Sequence, residues 1–344
     1  MPNFRSYTSV PPLQPLAPGR VRLRFMGTGT SQGIPIIGCH CPVCKSADPR
    51  DKRFRSSALA EFRGKTILVD AGPDFRSQML REDIGHLDAV LLTHFHKDHT
   101  GGLDDLRSLN YIDRSVIDIY CEKGVEDSLK KEYGYAFATL KYPGAPEWHI
   151  RSIDSSPFAV HSSMEEGSVL EWIHDVGYRL RTPGGELLPT GEMIIEAPRI
   201  CDPTFKDTLS TPDGKGAEII PIRGMHGTMP VLGFRFGPIA YITDMSHLPG
   251  EELAKLRGLE AVTLNTVGYK QHHSHFSLEE AVELAGAIGA KRTYLTHLSH
   301  TFPCHGQFTS DLRKLREEKG IESEIMPAYD GLVLECDDVM SPGR

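Results

Sequence analysis

The chain has 344 residues, 39% of them hydrophobic, and a formal net charge of −8 at pH 7. That is enough apolar material for one large core or two modest domains, so a disordered or fibrous chain is excluded. No long Lys/Arg run advertises a phosphate-backbone footprint, which weighs against a dedicated nucleic-acid binder, and no uninterrupted apolar stretch approaches the ~20 residues that cross a bilayer.

Taken in chain order, residues 1–20 (MPNFRSYTSVPPLQPLAPGR) read as a Pro-rich extended arm without the apolar centre of a signal peptide, so a cytoplasmic location is expected. Residues 21–27, VRLRFMG, predict a strand running into the loop GTGTSQG, which lacks the spacing of a P-loop or dinucleotide fingerprint and reads as a tight turn at the strand exit, bordering the site. SALAEF and KTILVDAG predict a hairpin around Arg63 and Gly64. FRSQMLRE and LDDLRSLNY have helical spacing, and LDAVLLTH between them reads as a buried strand. From residue 142 the pattern weakens. YPGAPEW, RTPGGELLPTG and TPDGKG punctuate it, with a strand-like EMIIEAP and a helical pattern in SVLEWIHD. Residues 142–216 are therefore expected to be an inserted subdomain or lid within a domain of residues 21–344. Beyond it, AEIIPIRGMH, VLGFRFG, IAYITDMS and LEAVTLN predict strands, and SLEEAVELAGAIGA a helix opened by a capping box of Ser277 and Glu280. KRTYLTH predicts a strand, SDLRKLREEKG a helix, and the C-terminal stretch a hairpin ending in LVLEC. The alternation makes this an α/β protein.

The chemistry concentrates in THFHKDH. Residues two apart on an extended segment face one side, so His94 and His96 can share a metal, while Asp98 and His99 follow the turn and can reach a second. An isolated His usually sits unliganded in core or solvent. Four coordinating side chains within six positions, before the small-residue turn TGG, rarely gather for another reason. His226, Asp244 and His297 each end a predicted strand. Alone, each would read as a cap or surface residue; the first cluster's need for partners singles them out.

This pattern resembles the metallo-β-lactamase superfamily, whose HxHxDH motif stands here as His94, His96, Asp98 and His99. The resemblance covers about residues 21–141 and 217–336 and implies a four-layer αββα sandwich with two metals at one edge between the sheets. It assigns His94, His96 and His226 to one metal and Asp98, His99 and His297 to the other, with Asp244 bridging. Because the superfamily hydrolyses thioesters, lactams, lactones and phosphodiesters and includes redox enzymes, it leaves the substrate open.

Seven cysteines are an odd count, and Cys39, Cys41 and Cys44 fall within GCHCPVC, a spacing that suits one metal better than paired disulfides and fits a reducing compartment. Three soft ligands are one short of a closed structural zinc. If His297 serves the active pair, His300, three residues on, can turn to that separate site; Cys304 and His305 are alternatives. C-x-C-x-x-C with such a His resembles the phosphoribosyl cyclic phosphodiesterase family of the carbon-phosphorus lyase pathway, which adds a structural zinc to the fold. The pyrroloquinoline-quinone biosynthesis protein shares the Cys-rich loop but alters HxHxDH, which is intact here.

The resemblance implies two divalent ions, Zn or Mn, in the active pair. Such a pair lowers the pKa of a shared water from ~15.7 toward ~7. Asp98 would help orient the nucleophile. The related family has a phosphate-touching His at the place of His275, just before the capped helix, so His275 is expected as phosphate binder or general acid, with His272 and His273 as alternatives. The expected function is a metal-dependent phosphoric diester hydrolase acting on a small phosphodiester, a cyclic ribose phosphate among the candidates, with a homodimer as a candidate assembly. The rivals are a tRNA-processing ribonuclease, another esterase or lactonase of this fold, a redox member, for which neither a flavin domain nor a carboxylate-rich diiron site is evident, and a non-catalytic zinc-binding scaffold, which would be expected to have lost ligands.

Overall fold

The computed structural model describes residues 14–138, 140–142, 144–160, 169–173, 177–189 and 217–339. Strands β1 (Arg20–Gly27), β2 (Ser57–Phe62), β3 (Lys65–Val69), β4 (Ala89–Leu91), β5 (Ile117–Cys121) and β6 (Trp148–Ser152) form most of the first sheet. After β7 (Phe158–Ala159) come β8 (Val169–Ile173), β9 (Gly177–Arg181) and β10 (Leu187–Pro189), which make a separate three-stranded sheet. The second half supplies β11 (Glu218–His226), β12 (Met229–Phe236), β13 (Ile239–Tyr241), β14 (Ala261–Asn265), β15 (Arg292–Thr296), β16 (Glu324–Pro327) and β17 (Val333–Asp337). The two large sheets run β17-β1-β2-β3-β4-β5-β6 and β16-β15-β14-β13-β12-β11-β7. Among the described residues seven helices accompany them: α1 (Pro42–Lys45), α2 (Phe75–Glu82), α3 (Lys97–Thr100), α4 (Arg107–Asp113), α5 (Lys123–Glu132), α6 (Leu278–Ile288) and α7 (His305–Glu318).

Period-two alternation explains the layering. On β1, Val21, Leu23 and Phe25 point into a core shared with Leu232, Phe234 and Phe236 of the facing sheet. The intervening Arg22 and Arg24 point the other way and are paired, with Glu61 at 2.9 Å and Glu82 at 3.2 Å. Behind the first sheet, Leu68 and Val90 meet Phe75 and Met79 of α2 and Leu129 of α5. Behind the second, Val262 and Leu264 meet Ala281 and Val282 of α6 and Phe308 of α7. The result is the αββα sandwich the motif implied. The capping box forms, with the Ser277 hydroxyl accepting from Glu280 N and the Glu280 carboxylate accepting from Ser277 N at 2.8 Å. The hairpin at Arg63 and Gly64 also forms, with φ of 47° and 75°.

Several expectations are revised. The C-terminal hairpin does not form: β16 pairs parallel with β15 in the second sheet, whereas β17 pairs antiparallel with β1 in the first. Within SVLEWIHD, Val169–Ile173 form strand β8 rather than helix, because five residues cannot distinguish the two periods and the pairing partner β9 decides. LDDLRSLNY divides into a 3₁₀ turn, Leu103–Leu106, and α4. The last helix starts at His305 rather than at Ser310. Residues 148–159, inside the stretch read as inserted, supply the edge strands β6 and β7 of both sheets. EMIIEAP and most of the N-terminal arm lie outside the described residues. No helix among the described residues is long and apolar enough to cross a membrane.

Strands β3 to β6 run parallel, as do β13 to β16. Their carboxyl ends are the natural place for a site, since chains leaving parallel strands converge there.

Candidate metal centre

Each strand exit delivers a polar side chain. β3 ends into Asp70, which is fully buried and adopts φ of 63°. Its carboxylate accepts from Thr93 N at 2.9 Å, from Thr93 Oγ1 at 2.9 Å, and from His99 Nδ1 at 2.7 Å. Thr93 in turn lies 2.9 Å from His94 Nδ1. One buried carboxylate therefore fixes both rings through Nδ1 and leaves each Nε2 for the site, the arrangement by which outer partners orient metal-binding histidines. His96 precedes α3, and Asp98 and His99 fall in its single turn, with His99 N bonded to His96 O at 3.0 Å.

From the second half, His226 ends β11, and its Nδ1 donates to the backbone oxygen of Asp244 at 2.9 Å. Asp244 follows β13 and His297 follows β15, with φ of 59° and 56°. Left-handed backbone at three non-glycine residues, Asp70, Asp244 and His297, is costly unless the surroundings impose it, and all three lie in one site. Asp244 Oδ1 lies 3.1 Å from His297 Nε2 and 3.0 Å from His275 Nε2, while Thr243 Oγ1 donates to its Oδ2 at 2.6 Å.

Ligand atoms of His94, His96 and His226 lie within 4.8 Å of one another, as do those of Asp98, His99, Asp244 and His297, and those of His226, Asp244 and His275. Among these, His94 Nε2, His99 Nε2 and both ring nitrogens of His297 are buried without an aligned hydrogen-bond partner. Buried polar atoms are rarely orphaned, so this cluster fits divalent cations. The charges agree. Burial alone would raise the Asp244 carboxyl, but His297, His99 and the bond from His275 hold it well below the usual carboxylate range. Burial would lower His99, yet Asp244, Asp70 and Asp98 push it well above the ordinary imidazole value, so positive charge is favoured at its ring. Burial and the His99 charge push His94 well down, as suits a neutral nitrogen ligand.

A second cluster brings Cys39, Cys41, Cys44 and His300 within 4.8 Å of one another. Sulfur-to-Nδ1 separations are 3.2, 3.6 and 3.7 Å. A tetrahedral zinc with ordinary Zn–S and Zn–N bonds has S···N edges of about 3.6 Å, so the donor set fits that ion. His305 instead turns its Nδ1 to Arg53 Nη2 at 3.4 Å, and Cys304 packs beside the cluster without joining the set. Cys41 caps α1, and the Cys44 backbone N–H, with the neighbouring thiols, draws its thiol down to about 6.

The main cluster opens on a cleft of about 330 Å³ lined by His96, Asp98, His226, Asp244 and His297, by His275, and by Ser31 and Lys97. Of the three neighbouring histidines, His275 lines the cleft; His272 Nδ1 lies 3.3 Å from its Nδ1, and the His273 ring lies tilted against His272 with centroids 4.5 Å apart. Ser31 places the loop GTGTSQG at the mouth. Sequence reasoning passed over Asp70, Thr93, Ser31 and Lys97. The signal for Asp70 was an acid closing a wholly apolar strand in ILVDAG; Lys97 was hidden as a spacer between two ligands.

Residues 65–183 and 193–298 match the beta-lactamase superfamily domain. An octanoyltransferase of Porphyromonas gingivalis is 34% identical over 321 residues, covering 92% of this chain but 52% of that protein, so the chain spans about half its length. A ribonuclease Z of Methanopyrus kandleri is 25% identical over 338 residues, covering 91% of this chain and 96% of that one. Among solved structures, a diphosphatase from the PhnP family superposes with a TM-score of 0.66 at 30% identity, covering 92% of this chain and 97% of that chain.

Proposed function

Because the chain belongs to the beta-lactamase superfamily, we propose that it is a hydrolase acting on a small phosphodiester, a cyclic ribose phosphate among the candidates, with a pair of divalent cations, Zn or Mn. The observation that carries this reading is the adjacency of the two ligand sets across Asp244, with buried ring nitrogens that lack an aligned hydrogen-bond partner, beside a cleft of about 330 Å³. That volume is at the small end for ligand sites, which favours a small substrate over a folded RNA. The similarity to a PhnP-family diphosphatase supports phosphoryl chemistry.

In this reading His94, His96 and His226 would hold one cation and Asp98, His99 and His297 the other, with Asp244 as the carboxylate shared between the two sets. When bound, the pair supplies Lewis acidity toward phosphoryl oxygens and an acidified water at neutral pH. Asp98 lines the cleft and orients the attacking water. His275 presents its imidazole to the same space and either donates to a phosphate oxygen or protonates the leaving alkoxide. Cys39, Cys41, Cys44 and His300 hold a structural zinc that leaves no position open to water.

A tRNA-processing ribonuclease has support from the similarity to ribonuclease Z. The net charge of −8 opposes it, since RNA affinity comes largely from cationic contacts to phosphate. The test is a screen on metal-reconstituted protein of bis(p-nitrophenyl) phosphate, p-nitrophenyl phosphate, a lactone and a thioester. Preference for the diester is expected; preference for a carboxylic ester or thioester overturns the proposal and leaves the fold untouched.

A further inference from the structure

Of the eight side chains lining the cleft, six belong to the ligand clusters; Ser31 and Lys97 are the two that do not. Ser31 is braced from behind, its backbone oxygen accepting from Arg55 Nε at 2.8 Å while Arg55 pairs with Asp74 at 3.0 Å. Lys97 is held differently. It sits between His96 and Asp98 at the start of α3, its side chain is 60% exposed, and its ammonium pairs with Glu132, the last residue of α5. The same nitrogen lies 5.2 Å from the centroid of the Tyr133 ring, which is fixed by its own hydroxyl on Thr100 O at 2.9 Å.

This placement makes little sense as stability. Exposed Lys–Glu pairs contribute little because both side chains give up freedom and water screens the charge. A flexible ammonium on an aromatic ledge can instead exchange Glu132 for another anion at small cost. Cations in the two ligand sets already meet the single charge of a diester, so the additional cation at the rim is free to recognise a charge elsewhere on the substrate. Resting on the phosphodiesterase reading, we propose that Lys97 is a specificity residue that swings from Glu132 to a second phosphate of the substrate, so that the enzyme selects diesters carrying that further anionic group.

The test compares the p-nitrophenyl ester of thymidine 5′-phosphate with its 3′-phosphorylated counterpart on metal-loaded protein, with metal content measured for every variant. Wild type should prefer the 3′-phosphorylated ester. Lys97→Met should lower the ratio of the two kcat/KM values about 10- to 100-fold, the scale of one charge-assisted hydrogen bond. Lys97→Arg should restore most of the ratio, and Glu132→Gln should raise it by lowering KM for the phosphorylated ester. An unchanged ratio in Lys97→Met, or equal losses on both esters, overturns the proposal. If wild type hydrolyses neither ester, the phosphodiesterase reading fails, and calorimetry with thymidine 3′,5′-bisphosphate and thymidine 5′-phosphate then decides the role of Lys97. Tighter binding of the bisphosphate that Lys97→Met abolishes supports it, and equal binding of the two by wild type overturns it.

Discussion

Gly72 lies against the turn that carries Asp98 and His99, and replacing it by Ala is a severe test of the geometry. A Cβ at Gly72 would lie 2.0 Å from the backbone oxygen of Asp98 and 2.9 Å from its carbonyl carbon, against a practical minimum of 3.0 Å, so the two backbones must separate by at least 1.0 Å (3.0 less 2.0). Two hydrogen bonds bracket that contact, Ala71 N to His99 O and Gly102 N to Ala71 O, each 2.8 Å. Opening by 1 Å takes both beyond hydrogen-bonding range. Losing them costs about 1 kcal/mol each, and overpacking adds about 1–3 kcal/mol, for a total of about 3–5 kcal/mol. The movement also exceeds the ~0.5 Å tolerance of a working site. Gly72→Ala should therefore lower the urea midpoint and lose the active-site metals on dialysis, while the same treatment leaves wild type loaded. A variant with wild-type midpoint and full metal content would refute the close approach on which the placement of Asp98 and His99 depends.

Asp70→Asn should keep the fold but leave one of Thr93 N–H, Thr93 O–H or His99 Nδ1–H without a good acceptor, weakening metal binding about 10- to 100-fold in a competitive chelator titration; unaltered affinity would mean that Asp70 does not orient the rings. Cys41→Ser should lower stability and zinc content together, and it should also loosen the active pair, because His300 and His297 share one loop whose Leu298 N bonds Thr28 O at 2.8 Å; lost activity with wild-type stability and metal would contradict a structural zinc. His275→Ala should retain its metals and lose about 10²- to 10⁴-fold in turnover of an alkyl diester, with a smaller loss on a nitrophenyl diester, if it protonates the leaving group. Equal losses on the two would leave it as a phosphate binder, and no loss on either would remove it from the site.

How far the sequence reaches depends on whether local pattern or distant pairing decides. His94, His96, Asp98 and His99 were legible because ligand spacing is local chemistry, and the capping box of Ser277 and Glu280 because it closes within one turn. Leu334 and Cys336 of β17 alternate as a strand should, yet nothing in that alternation says that they join Leu23 in the first core rather than the strand just before them. Sheet membership is settled by register across more than three hundred residues, Arg20 opposite Asp337. Asp70 was missed for a related reason: its importance lies in reaching Thr93 and His99, contacts that exist only once β3 and β4 lie side by side. Lys97 shows the limit of motif reading, since a pattern that treats it as a spacer says nothing of what its ammonium faces.

In the proposed reaction Asp244 joins the two cations of the cleft, and metal content measured beside diester turnover shows whether it does. Reconstituted wild type should carry about three metals per chain, two in the cleft and one on the thiolates. Asp244→Ala removes the shared anion between two dications, whose repulsion neither imidazole nor water offsets. It should keep about one metal, bound by Cys39, Cys41, Cys44 and His300, and lose hydrolysis of bis(p-nitrophenyl) phosphate. An Asp244→Ala protein that keeps all its metals, or that still hydrolyses the diester at the wild-type rate, would contradict the account.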